Sequence, residues 1–159
     1  MINVNIIAVG RLKEDYLVKA AAEYQKRIQG KIKLQITEIA EARLDENPSD
    51  KQIEAALNAE GERILSALPS ACAVVTMAIE GVQISSVEFS KKLYDIAVQK
   101  GTVVFIIGGS HGLSDAVKRR ADFIMSFSKL TMPHQLFRVV LLEQLYRAAM
   151  ININSKYHK

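Results

Sequence analysis

The sequence predicts an α/β domain with a mainly parallel sheet and helices on both faces, and three observations carry that prediction. Segments whose apolar residues alternate in twos are followed, repeatedly, by segments whose apolar residues recur every three or four positions. Two runs, 71–78 (ACAVVTMA) and 102–107 (TVVFII), are apolar almost throughout, as strands covered on both faces require. Glycine, proline or a capping pattern punctuates the junctions. With 159 residues the chain has the usual size of one domain, so residues 1–159 are read as a single unit.

In order, Ile2, Val4 and Ile6 alternate up to Val9, and Gly10 closes a first strand. From 15 to 29, Tyr16, Ala20, Tyr24 and Ile28 recur every four positions, which predicts an amphipathic helix stopped by Gly30. Ile32, Leu34 and Ile36 then alternate with Lys33, Gln35 and Thr37, the pattern of a half-exposed strand near a sheet edge. Residues 41–50 (EARLDENPSD) are polar and aperiodic and form a surface loop. Ser49 with Gln52 is a capping box for a second helix, whose stripe is Ile53, Ala56, Leu57, Ile64 and Leu65 and which ends before Pro69. The apolar run 71–78 belongs at the sheet centre. Ser85 with Glu88 opens a third helix that Gly101 terminates. The strand at 102–107 runs straight into Gly108. A short helix from about 114 to 121, a strand 123–127, a loop to Pro133 and a helix from about 135 to 150 complete five strands and five helices.

Composition narrows the function classes. Lys and Arg outnumber Asp and Glu by 21 to 17, a net charge of +4 that leans toward an anionic partner. No apolar run approaches the roughly 18 residues of a membrane span, and the opening MINVNIIAVGR lacks a signal-peptide pattern, so a cytoplasmic protein without a membrane partner is expected. Cys72 is the only cysteine and sits in an apolar run, where a buried, inert thiol is expected. His111, His134 and His158 are scattered, with no spacing suited to zinc, so no metal is expected.

In open α/β sheets ligands bind beyond the carboxyl ends of the strands, which directs attention to the loops after Ala78, Ile107 and Phe127. The segment 108–114 (GGSHGLS) exposes backbone N–H groups at two adjacent glycines and leads into a helix N-terminus, suiting either a ligand cradle or a tight turn. It is neither the dinucleotide fingerprint, which follows a first strand, nor a Walker A loop, which needs Gly-Lys-Ser/Thr. His111 reads as a general base or as a solvated loop side chain. The segment 127–134 (FSKLTMPH) mixes hydroxyls with apolar side chains, a composition for holding a flat heterocycle or for a plain connection. Along the last helix Leu136, Phe137, Val139, Val140, Leu141, Leu142, Leu145, Ala148, Ala149 and Met150 cover more than one stripe, which predicts a second subunit as cover and hence a homodimer. Glu143 and Arg147 stand at i,i+4 and can pair. The tail ININSKYHK reads as a frayed end or, through Tyr157, His158 and Lys159, as the mixture of stacking and charge that grips single-stranded RNA.

Taken together, IIGGSHGLS, LTMPHQLFRVVLLEQLYRA and the terminal KYHK resemble the bacterial 23S rRNA pseudouridine N3-methyltransferases of the SPOUT class, a likeness that spans the chain and includes the opening VNIIAVGRLK. The resemblance implies an α/β-knot fold with a C-terminal trefoil knot, a homodimer and S-adenosylmethionine as methyl donor. It implies a cofactor pocket built from Thr76 and Met77, Gly108 and Gly109, and Phe127, Ser128, Lys129, Leu130, Thr131 and Met132. The substrate it implies is a pseudouridine in helix 69 of the large-subunit rRNA, met on the assembled ribosome. Catalysis would fall to His134 as proton acceptor and to Arg138 and Arg147 as cations favouring the anionic base, with Tyr157, His158 and Lys159 binding substrate at a composite site. The family's usual GGPEG loop is here GGSHG, with Ser110 and His111 in the middle. A non-catalytic nucleotide- or RNA-binding module would use the same glycine loop but gives no reason for the tail. A flavodoxin-like protein is disfavoured because the first strand-to-helix loop lacks a hydroxyl cluster for phosphate.

Overall fold

The computed structural model describes residues 1–159 as ten alternating elements. They are β1 (Ile2–Val9), α1 (Asp15–Ile28), β2 (Ile32–Ile39), α2 (Asp50–Ser66), β3 (Cys72–Val82), α3 (Ser86–Lys100), β4 (Thr102–Ile107), α4 (Asp115–Arg120), β5 (Phe123–Met125) and α5 (His134–Asn152). The sheet is parallel throughout, in the order β2-β1-β4-β3-β5. The patterned strand β2 is an edge, as its alternation requires, while β4 is the centre and β3 lies one strand further out.

Each strand sends alternate side chains to two cores. On one face Val4, Ile6, Val75, Val103 and Phe105 meet α1, α3 and α5; on the other Ile7, Val74, Val104 and Ile106 meet α2 and α4. Both capping boxes form: Ser49 and Gln52 exchange bonds of 3.2 and 2.8 Å, and Ser85 and Glu88 bonds of 3.2 and 2.7 Å. Cys72 is buried, and the apolar surroundings push its thiol pKa up.

Three expectations are revised. In α1 the buried stripe is Leu17, Ala21 and Ile28, with Tyr24 packed against it, and Tyr16 is 68% exposed. A strict four-residue repeat drifts about 40° per step around a helix, whereas spacings of four and three hold one face. The last strand is only three residues long, because Ser126 and Phe127 already turn into the next loop. Finally, α5 lies between α1 and α3 on one face of the sheet, so Leu141, Leu142 and Leu145 are wholly buried by the chain's own elements. A helix flanked on both sides and below needs a broad apolar surface for its own chain's packing, which accounts for most of the breadth, while Leu136 remains 39% exposed.

A charged clasp joins the strands at the β5 edge. The Asp122 carboxylate accepts the Val74 N–H at 2.8 Å, and Asp122 N–H donates to the Val74 carbonyl at 2.8 Å. The bond from Val74 first, and Arg120 next, hold the carboxyl below its ordinary value of 3.8. A depressed carboxylate stabilises the fold above its unfolded pKa and stops doing so as pH falls through the folded one. Asp122→Asn is therefore expected to lower the urea midpoint at pH 7, and the gap to wild type should narrow by pH 3.

Candidate functional site

A bulged segment in the second half of β3 and the loops that follow β4 and β5 converge on a cleft of about 620 Å³. The first, 78–81, leaves the sheet and returns, because Met125 pairs with both Met77 and Val82. Ser126 N–H donates to the Val82 carbonyl at 3.0 Å, so the chain after β5 passes directly beneath this arch. Gly81 makes the passage possible: a Cβ there would stand 2.5 Å from the Met125 carbonyl carbon and 2.8 Å from its nitrogen.

The second loop is the glycine segment. Gly112 adopts φ +87° and its N–H donates to the Gly109 carbonyl at 3.1 Å, closing a tight turn. A Cβ on Gly108 would overlap the Gly112 carbonyl, so the turn needs glycine there as well. Ser114 then caps α4, accepting the Val117 N–H. The third loop is shaped by its own hydroxyls: Ser126 Oγ donates to the Ser128 carbonyl at 2.9 Å, and Ser128 Oγ accepts the Leu130 N–H at 3.0 Å. Phe127 stacks on Phe137 with ring centres 4.9 Å apart, fixing this loop to the first turns of α5.

Of the ten residues assigned to the pocket by resemblance, Met77, Gly108, Gly109, Phe127, Ser128, Leu130, Thr131 and Met132 line the cleft. Thr76 and Lys129 do not. Thr76 shares a face with Val74 and Ile106, on the α2 and α4 side, and is wholly buried with its hydroxyl unpartnered. Lys129 is exposed and lies outside the lining. His134, the first residue of α5, does reach the cleft.

Sequence reasoning missed the ion pair on the cleft wall, Lys118 Nζ to Glu80 Oε1 at 2.7 Å, which links the arch to α4. That hydrogen bond is the main reason the Glu80 carboxyl is held below its ordinary range. No local pattern joins residues 38 positions apart. Ser110 and His111 also line the cleft, and their side chains approach to 3.3 Å, with no carboxylate on the His111 ring. Beyond them a second cleft of about 350 Å³ opens against α2, where the buried Glu60 carboxylate accepts the Ala42 N–H at 2.8 Å.

Arg138 lies one turn beyond His134 and is 2% exposed. Its guanidinium donates to Glu38 at 3.0 Å and to the Gly10 carbonyl at 2.9 Å. Burial lowers its pKa, against the opposing pull of Glu38. In this position it ties β1 and β2 to α5, with its Nε buried and without a hydrogen-bond partner. Arg147 stands about 13 Å further along the helix, about 20 Å from His134. There it forms the expected pair with Glu143 and carries the folded-back tail, in which Tyr157 packs on Tyr146 at 4.8 Å and His158 Nδ1 lies 3.4 Å from Arg147. Within one chain, then, His134 and the tail occupy opposite ends of α5. No group of three or more His, Cys, Asp or Glu side chains is arranged to hold a metal ion, and no helix is long and apolar enough to cross a membrane.

Residues 2–158 match the profile of a family described as "Predicted SPOUT methyltransferase". The chain belongs to the SPOUT methyltransferase family. Curated relatives of this SPOUT methyltransferase include proteins named ribosomal RNA large subunit methyltransferase H. The one from Leuconostoc mesenteroides is 49% identical over 158 residues, and the one from Lactobacillus acidophilus is 48% identical over 158 residues; each comparison covers 99% of both chains. Among solved structures, a probable methylase family protein from Haemophilus influenzae superposes with a TM-score of 0.54 at 15% identity, covering 99% of this chain and 70% of the other; that likeness concerns the fold alone.

Proposed function

We propose that this SPOUT methyltransferase transfers a methyl group from S-adenosylmethionine to N3 of a pseudouridine in helix 69 of large-subunit ribosomal RNA, acting in the cytoplasm on assembled ribosomes. The observation that carries the reading is the convergence of the bulged β3 segment and two strand-end loops on one cleft with His134 at its edge. Relatives named for large-subunit rRNA methylation, at nearly half identity and full length, support the substrate class. The finer target follows the family resemblance of the glycine loop, the 130–148 segment and the KYHK tail.

The cleft suits the donor. Its volume falls within the roughly 300 to 1,000 Å³ of small-molecule sites. Met77, Ile107, Leu113 and Phe137 give apolar walls for an adenine ring, and the hydroxyls of Ser128 and Thr131 with the loop amides provide polar edges. Glu80, paired with Lys118, adds a charged edge to the same wall. When bound, the donor supplies a methyl group already activated for in-line attack. The chain's contribution is to hold the nucleobase nitrogen within about 3 to 3.5 Å of that methyl, on its line of approach. The imide N3 must also lose a proton, and His134 at the cleft edge is the side chain assigned to accept it. Arg138 sets the position of α5 and thereby of His134.

The tail explains why the active unit is read as a homodimer. Tyr157, His158 and Lys159 lie at the far end of α5 from their own cleft, so they contribute to substrate binding by reaching the cleft of a second subunit. Leu130, Leu136 and Ile153, exposed at 77, 39 and 60%, are the apolar contacts available to it. The close passage of residues 124–126 beneath Gly81 likewise supports the trefoil knot that the family implies.

The reading is tested by equilibrium binding and single-turnover methyl transfer. Wild type is expected to bind S-adenosylmethionine and methylate ribosomes. His134→Ala is expected to keep donor affinity within about twofold and to lose roughly 100-fold in single-turnover rate, the usual scale for general base catalysis. An unchanged rate would remove His134 from the mechanism.

A further inference from the structure

The end of α1 meets the end of α5 in a cluster of alternating aromatic and cationic side chains. The Arg27 guanidinium sits 5.5 Å from the Tyr24 ring centre, Lys31 Nζ 5.7 Å from the Tyr146 ring, and the Arg147 guanidinium 4.8 Å from the Tyr157 ring. Tyr146 and Tyr157 stand edge to face at 4.8 Å, so the rings form one continuous body. The carboxylates present are Glu23, paired with Arg27 at 2.8 Å, and Glu143, paired with Arg147. Lys31 has none; its ammonium is held by the Arg27 carbonyl at 3.0 Å.

We infer that Arg27, in the last turn of α1, and Lys31, in the turn that follows it, form a phosphate-binding edge beside the tail, so that the surface gripping unstacked ribosomal RNA runs from the C-terminus onto the end of the first helix. Single-stranded nucleic acid is held by aromatic platforms for the bases together with cations that follow the backbone. Here the rings belong to α1, α5 and the tail, and the two cations lie on two of them, Arg27 on the Tyr24 ring and Lys31 on the Tyr146 ring. Such an edge supplies sequence-independent affinity that the cleft cannot. This inference rests on the rRNA reading above and adds two residues outside the cleft and the tail.

The experiment compares wild type with Arg27→Gln/Lys31→Gln in methyl transfer to ribosomes across a salt series, alongside S-adenosylmethionine binding and sedimentation. The double variant is expected to raise the KM for ribosomes about 5- to 30-fold near 0.15 M salt and to flatten the log–log salt dependence by roughly one to two units, as loss of two phosphate contacts requires. Donor affinity and oligomeric state should match wild type, and Arg27→Lys/Lys31→Arg should restore the slope. Wild-type activity with an unchanged KM and slope in the double variant would overturn the surface alone. A change of oligomeric state in the variant would assign these residues to a subunit contact instead and also overturn it. No transfer by wild type would overturn the rRNA reading and this surface with it.

Discussion

Gly81→Ala is expected to lose S-adenosylmethionine affinity by at least about 10-fold and stability by roughly 2 to 3 kcal/mol, the upper part of the range for overpacking. The new Cβ would meet Met125 and Ile124 backbone atoms at 2.5 to 2.9 Å, and backbone, unlike the far end of a side chain, cannot turn away. Two of the three cleft walls join at this point, because Ser126 bonds to Val82 beneath the arch. Relief of the clash must therefore move the arch, β5 or both, and the donor site moves with them. Gly30→Ala is the control. Gly30, unlike Gly81, has positive φ, +75°, and nothing lies within 4 Å of its added Cβ, so a loss of about 1 kcal/mol with unchanged donor affinity is expected. Thermal denaturation with calorimetric titration separates the two outcomes.

The second large effect concerns Glu38 and Arg138, where removing either partner should not cost the same. Glu38→Ala leaves a guanidinium 2% exposed with the Gly10 carbonyl as its remaining partner, and it should destabilise by about 2 to 3 kcal/mol. The estimate is placed below the range for fully buried pairs because Glu38 itself is 40% exposed and water can reach that end. Arg138→Met leaves a carboxylate that solvent already wets, so about 1 to 2 kcal/mol is expected. Arg138→Lys should not rescue the site, since one ammonium cannot reproduce the guanidinium fork that spans Glu38 and Gly10. Urea denaturation of the three variants gives the ranking. If Arg138→Met proves the most damaging, the pair does not act as described.

Much of the fold was legible because its signals are local. The capping boxes at Ser49 and Ser85, the alternation of β2 and the continuous apolar runs of β3 and β4 each involve neighbours in sequence. The loops that build the cleft were legible for the same reason: two glycines ending a buried strand, and hydroxyls after another, sit at strand ends where α/β proteins bind ligands. What sequence could not give was partner and direction. Arg138, flanked by apolar residues on α5, looks like any helix-surface cation until Glu38, 100 positions away, is seen to face it. Thr76 is adjacent to Met77 but points to the opposite side of the sheet, so a loop assigned as a unit was half right. The apolar breadth of α5 was read as calling for a second subunit, but the chain's own α1 and α3 cover much of it, and the number of elements on each face of the sheet is a tertiary property.

The central claim is that this cleft serves methylation of ribosomal RNA, and transfer of labelled methyl from S-adenosylmethionine tests it most directly, using ribosomes and free ribosomal RNA, each with and without prior pseudouridylation. The account predicts label on N3 of a pseudouridine in ribosomes that carry it, little label in free RNA, and none where pseudouridine is absent. Label on an unmodified base, or no transfer to ribosomes by folded, donor-bound protein, would contradict it.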